Sequence, residues 1–206
     1  MSVSILPYDL PDAFLFEGAE DGYHVWQPQK YYIVLGLSNT PERSLFTENI
    51  IRADIPVTRR PSGGEAVMLT PRTVVFAVSR TFPVPVSSRD YFRIINGLIV
   101  DYLRTKGVRN LDFKGISDIT IGNNKILGSS IRSRRNRMTY HAVLNVSEDP
   151  DLFEKYLRHP LREPDYRVQR SHKEFVASLK TEGFNITIDE LIGEISRQFH
   201  HYLSRP

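Results

Sequence analysis

The chain has 206 residues, 40% of them hydrophobic, including 11 Phe and 10 Tyr, which is ample for a core and argues against disorder. A formal net charge of only +3 speaks against a nucleic-acid partner, and no apolar run approaches the roughly 20 residues that cross a bilayer. With no cysteine a thiol nucleophile and a Cys-ligated metal are excluded, and with no signal-like start the expectation is a soluble, cytoplasmic protein of one domain, residues 1–206.

The first 25 residues carry weak signals. Segments 23–26 and 31–35 are aromatic and β-branched and read as strands. Gly36 to Thr40 reads as a turn, and Pro41 opens a helix to about Ile51, because proline at the first helical position loses no hydrogen bond. Segment 57–69 reads as a strand pair interrupted by Pro61, Ser62, Gly63 and Gly64, and 73–78 as a further strand. The period then changes. Tyr91, Ile94, Ile95, Leu98, Ile99, Tyr102 and Leu103 recur at helical spacing, with Ser87 and Ser88 to cap the start and Gly107 to end it. Strands follow at 118–121, about 125–132 and 140–146, with a turn at Asn123 and Asn124. Ile188, Leu191, Ile192, Ile195, Phe199 and Tyr202 share one face of a last helix, which Thr187 and Glu190 start as a capping box. Strands outnumber helices, and the long helices follow groups of strands. The expected class is α+β, with mixed, largely antiparallel sheets packed with helices.

Three segments carry possible chemistry. Between Arg59 and Val67, Gly63 and Gly64 let backbone N–H groups approach an anion while Arg59 and Arg60 add charge; the plainer reading is a glycine hairpin with surface arginines. Lys125 leads into Gly128, Ser129 and Ser130, a small-residue stretch that leaves room for a ligand, although a solvated hairpin lysine fits as well. His141 opens a buried strand, where histidine is more often a hydrogen-bonded structural residue. No His and acidic residues have metal-ligand spacing, and His200 and His201 read as exposed. Arg132, Arg134, Arg135 and Arg137 form a basic run, either a solvated loop or a docking surface for phosphate or an acidic protein.

Taken in order, these segments resemble the lipoate-protein ligase family, whose members carry an Arg-Arg-x-Ser-Gly-Gly-Gly-Ala-Val strand and turn. Here that segment is Arg59, Arg60, Pro61, Ser62, Gly63, Gly64, Glu65, Ala66, Val67. The family's Asn-Asp-(Ile/Leu) corresponds to Ser117, Asp118, Ile119, and its Lys-(Ile/Val)-x-Gly-Ser-Ala to Lys125 through Ser130. Its His-His-Gly-Thr-Leu-Leu corresponds to Tyr140, His141, Ala142, Val143, Leu144, and its late Ser-Arg-Val-x-Asn-Leu region is similar to 167–179. The resemblance runs from about Tyr23 to Leu203 and implies a biotin/lipoate ligase-like fold.

It further implies an ATP-dependent ligase that activates lipoate or octanoate as an acyl-adenylate. The acyl group then passes to a lysine of a lipoyl domain or of a glycine-cleavage H-type acceptor. By this resemblance Lys125 and Asp118 are catalytic, with Asp118 also a candidate Mg²⁺ ligand. Arg59, Arg60, Ser62, Gly63, Gly64, Ala66, Val67, Gly128, Ser129 and His141 bind substrate or nucleotide. Val34, Val67 and Val143 would line an acyl slot, and the Arg59–Glu65 turn should face Lys125 across one pocket. The chain departs from the family pattern at Glu65 (a glycine in the family), at Leu69 and Thr70 (His-Asp), at Ser117, and at Tyr140 and Ala142. The expectation is that no C-terminal accessory domain follows the last helix, which leaves room for a separate accessory subunit, and the family's N-terminal helix reads as shortened. Two other readings stand beside the ligase. One is a degenerate, non-catalytic binder of an acyl group, a nucleotide or a lipoyl domain. The other is an octanoyltransferase of the same fold, which the lack of cysteine disfavours.

Overall fold

The computed structural model describes residues 3–205. The chain enters as β1 (Ile5–Pro7) and one helical turn, α1 (Phe14–Glu17), followed by β2 (Gly22–Trp26) and β3 (Tyr32–Leu35). Next come α2 (Pro41–Ser44), α3 (Thr47–Arg52), β4 (Val57–Arg59), β5 (Val67–Leu69), β6 (Thr73–Thr81) and the long helix α4 (Ser88–Thr105). Four strands follow: β7 (Leu111–Lys114), β8 (Asp118–Ile121), β9 (Asn124–Arg134) and β10 (Arg137–Asn145). The chain closes with α5 (Asp151–Tyr156), a 3-10 turn (Asp165–Arg167), α6 (His172–Phe175) and α7 (Ile188–Leu203).

Two sheets result, and the class is α+β. The larger is antiparallel throughout, in the order β2-β6-β10-β9-β8-β7, and the smaller is mixed, in the order β1-β4-β3-β5. Period-two alternation divides the residues of the large sheet between two faces. Val74, Phe76, Val78, Tyr140, Ala142 and Leu144 pack into the main core beneath α4 and α7. Their neighbours Val75 and Val143 turn the other way, toward Val34 and Leu69 of the small sheet. The space between the sheets is therefore lined by the complementary set of side chains.

The helix expected from Pro41 to Ile51 is broken in two. Leu45 is extended and fully buried, and it forms an antiparallel bridge with Leu157. Burying that side chain and pairing its backbone outweigh helix continuity. The 57–69 segment is not a hairpin: β4 pairs parallel with one side of β3, and β5 pairs antiparallel with the other. The intervening loop therefore crosses the end of β3. The turn expected at Asn123 and Asn124 lies one residue earlier, at Gly122 and Asn123, because Gly122 takes the positive φ (58°) and Asn124 pairs with Ile121. At α7, Thr187 caps Glu190 N–H, but the Glu190 carboxylate pairs with Lys106 instead of completing the box. A full capping box occurs at Ser171 and Glu174 of α6, an element the sequence pattern did not suggest. Strands β1 and β7 also went unread, both short edge strands without clear alternation. The arginine run is divided: Arg132 donates to the Phe16 carbonyl, and Arg137 to the Ala19 carbonyl and to Asp21, tying the N-terminal segment to the sheet. Arg134 and Arg135 stay exposed at the hairpin tip.

Phe199 is fully buried and meets both Phe76 and Tyr23, with ring centroids 5.8 and 6.1 Å away. Phe199→Ala should therefore lower unfolding stability by about 3–5 kcal/mol. Urea unfolding followed by far-UV circular dichroism measures the loss, and a loss below about 1 kcal/mol would mean that α7 is not docked as described.

Candidate functional site

The loop between β4 and β5 is shaped by a buried guanidinium. Arg60 is 3% exposed. Its Nε and Nη2 donate to the Gly63 carbonyl at 3.2 and 2.7 Å, Nη2 also donates to the Glu65 carbonyl at 2.9 Å, and Nη1 to the Val34 carbonyl at 3.2 Å. Burial lowers its pKa to about 10. Arg59 grips the neighbouring turn: Nη1 donates to the carbonyls of Gly36, Leu37 and Asn39. Both arginines thus bind main chain, and of the two only Arg60 borders the cavity described below. Gly36 packs so closely on the loop that a Cβ there would stand 1.9 Å from the Gly64 carbonyl oxygen. Gly64 itself has φ +89°, which favours glycine. Among the described residues nothing accepts a hydrogen bond from the backbone N–H groups of Gly63, Gly64 or Glu65. Unengaged amides on a tight turn are the material of an anion site.

Lys125 reaches the same space because of a bulge. The β8–β9 register shifts between Ile119 and Thr120, which pair with Leu127 and Lys125 respectively, leaving Ile126 over. Ile126 and Leu127 both join the main core, so Lys125 falls on the side of Gly128, which strict alternation would deny it. Its Nζ lies 2.8 Å from Asp118 Oδ1. A Cβ on Gly128 would stand 2.8 Å from Lys125 Cε, so the lysine folds over the glycine. The second Asp118 oxygen accepts from Tyr166 Oη at 2.8 Å, and burial together with the Asp118 charge raises the Tyr166 pKa. No cluster of three His, Cys, Asp or Glu with metal-binding geometry occurs among the described residues. A cation beside Asp118 would therefore take most of its ligands from phosphate oxygens and water, as Mg²⁺ commonly does.

A cavity of about 240 Å³ joins the two features. Arg60, Gly64 and Glu65 border it on the loop side, and Lys125, Gly128 and Ser129 on the β9 side. Val34, Val67 and Val143 all line it, as does Ala66. Ser130 Oγ donates to the Gly63 carbonyl at 2.9 Å and so ties β9 to the loop. The hydroxyl of Ser129 is engaged by the Ser117 carbonyl at 2.8 Å. Ser62 and Gly63 do not line the cavity; Ser62 instead bonds His141 Nε2 at 2.6 Å. Burial, with a smaller contribution from the Arg60 charge, holds the His141 pKa well below its usual value, so the ring is neutral. Tyr140 lies on the other face, its hydroxyl donating to Asn96 at 2.6 Å inside the core. The sequence reading missed several cavity residues, Tyr8, Arg162, Arg167 and His172 among them. They come from an N-terminal strap and a 158–172 loop with no periodic pattern to mark them.

The model of the lipoyl protein ligase A/B catalytic domain matches residues 13–200. The chain belongs to that family. Within it, the chain is 26% identical over 180 residues to lipoate-protein ligase A subunit 1 of Thermoplasma acidophilum, covering 83% of this chain and 68% of that one. It spans about half the length of other curated lipoate-protein ligases that it matches. A solved structure of a bi-partite lipoate protein ligase with its E2 lipoyl domain, also from Thermoplasma acidophilum, superposes with a TM-score of 0.77 at 23% identity, covering 93% of this chain and 76% of that one. A crystal structure of lipoate-protein ligase A bound with ATP gives a TM-score of 0.77 at 23% identity, covering 98% and 83%. These likenesses establish the lipoate ligase fold. Among the described residues no helix is long and apolar enough to cross a membrane.

Burial of neutral histidines has a pH signature. The unfolded imidazole takes up its proton near pH 6.5, whereas folded His141 and His172, whose pKa burial also lowers, resist to lower pH. The unfolded state then binds more protons, so stability falls as pH drops below about 6.5–7, by up to about 1.4 kcal/mol per pH unit for each histidine. Denaturant melts at pH 7.5, 6.5 and 5.5 should show this decline, and His141→Gln should flatten it. Identical slopes for the variant and the wild type would refute a buried neutral His141.

Proposed function

We propose that this protein is an ATP-dependent lipoate or octanoate ligase that activates the acid as an acyl-adenylate and passes it to a lysine of a lipoyl domain. The observation that carries the reading is the pairing of Lys125, anchored by Asp118, with the unengaged amides of Gly64 and Glu65 around one largely apolar cavity. Activation of a carboxylate by a nucleoside triphosphate needs positive charge and N–H donors where oxygen charge accumulates, and an apolar slot for the chain.

In this reading ATP supplies the leaving group that makes the carboxylate reactive. Lys125, held by Asp118 and laid over Gly128, places its ammonium between the acyl carboxylate and the α-phosphate. The amides of Gly64 and Glu65 receive phosphate oxygens. Arg59 and Arg60 hold the turn that aims those amides and do not themselves touch the anion. His141, neutral and bonded to Ser62, fixes the base of the same turn to β10. Asp118 orients Lys125, and it is the residue that would hold a Mg²⁺, whose charge would offset that of the phosphates. The acceptor would be a lipoyl domain or an H-type protein, and a second chain would supply an accessory domain, as the names of the Thermoplasma relatives suggest for their system. A non-catalytic binding role is the second reading, favoured by one observation: Glu65, an acidic residue, borders the cavity, and its carboxylate accepts from Asn39 at 3.4 Å. The direct test is to incubate the protein with lipoate, MgATP and a lipoyl domain and to weigh the domain. An increase equal to one lipoyl group supports ligation, and an unchanged mass, also with an added accessory chain, leaves binding alone.

Two substitutions refine this. Lys125→Ala should cut single-turnover adenylation by on the order of a hundredfold or more, with the fold retained but the thermal melt lowered, because buried Asp118 loses its cation and keeps only the Tyr166 donor. Near-normal turnover would remove Lys125 from the mechanism. Glu65→Gly should leave activity unchanged or raise it, since it removes negative charge from the anion side of the cavity. A large loss in the same assay would give Glu65 a positive role.

A further inference from the structure

The acyl slot has an identifiable far wall. Gly128, Val143, Val75 and Trp26 stand in register across β9, β10, β6 and β2. Those four strands span three steps, about 14 Å from the Lys125 end to the far side. At the far side the cavity meets the cluster of Leu10, Trp26, Val34, Leu69 and Val75, and Tyr8 packs against that cluster while lining the cavity. Tyr8 follows β1, on the N-terminal strap. Its hydroxyl donates to Asp12 at 2.9 and 3.1 Å from the two carboxylate oxygens, and Asp12 is fully buried. The ring edge is also fixed against Phe16, at 5.7 Å and 87°.

A large ring held at both ends has few rotamers to yield into, and a partly buried tyrosine tied to a buried carboxylate is costly to displace. We infer that Tyr8, anchored by Asp12, is the end wall of the acyl slot and sets the length of the chain accepted, making it a specificity-determining residue. The inference rests on the acyl-transfer reading above and adds to it a residue that limits chain length, with homologues longer than the slot rejected by the Tyr8 ring.

The test is direct binding, without ATP or acceptor. Straight-chain acids from hexanoate to tetradecanoate are titrated by calorimetry into the wild type and into Tyr8→Phe, Tyr8→Ala and Tyr8→Trp, each with a thermal melt. The wild type should prefer acids of intermediate length. Tyr8→Ala should move the preference to longer acids, with about a fourfold gain in affinity for each further methylene admitted. Tyr8→Trp should move it to shorter ones. Tyr8→Phe should keep the wild-type preference while melting lower, because Asp12 loses its donor. If Tyr8→Ala fails to fold, Tyr8→Trp decides. Folded variants with the wild-type length preference would overturn the end wall while leaving the acyl site standing. A wild type that binds no acid of any length would overturn both.

Discussion

Arg60 is a buried cation for which no carboxylate lies within ion-pair distance among the described residues. Such a charge is tolerable only if its donors find strong acceptors, and here the carbonyls of Val34, Gly63 and Glu65 supply them. Meeting that requirement bends the β4–β5 loop back over the end of β3. With the carbonyls pulled inward to the guanidinium, the amides of Gly63 to Glu65 are left without acceptors. The same charge helps keep His141 neutral. One desolvated side chain therefore shapes the turn, exposes its donors and sets the electrostatics beneath it.

The opposite wall depends on a single extra residue. The bulge at Ile126 lets two successive residues of β9 enter the core and brings Lys125 to the cavity side. Gly128 then matters for what it lacks, since any side chain would occupy the path of the lysine. Asp118 and Tyr166 complete the support, and Tyr166 comes from a loop far along the chain. The lysine is thus positioned by the fold while its ammonium stays reachable, with a side-chain exposure of 28%.

Between these walls the cavity follows from how two sheets share their faces. Even-numbered positions of β6 and β10 bury against α4 and α7, and odd-numbered ones face the small sheet. Tyr140 and His141 illustrate the consequence. They are adjacent in sequence, yet one bonds Asn96 within the core and the other bonds Ser62 beneath the loop. The departure from the family pattern at Tyr140 therefore falls on the core side, and His141 keeps its place at the site.

The sequence by itself determined the elements whose signals are local. The spacing of Tyr91 to Leu103 and of Ile188 to Tyr202 marks α4 and α7, and the β-branched run at 73–78 marks β6, because helical and strand periodicity need no partner to be visible. The ordered motifs around Ser62, Lys125 and His141 also marked which segments would meet. Tertiary structure alone decided what each residue does there. That β4 and β5 flank β3 instead of pairing is what brings Arg59 and Arg60 onto main-chain carbonyls of the neighbouring turns. The bulge that re-aims Lys125 arises from strand register, and the split of the 41–51 helix from the bridge to Leu157. Tyr8 reaches the cavity, and Tyr166 reaches Asp118, from segments without periodicity. Long-range pairing and desolvation set these outcomes, and neither is written in the spacing of neighbouring residues.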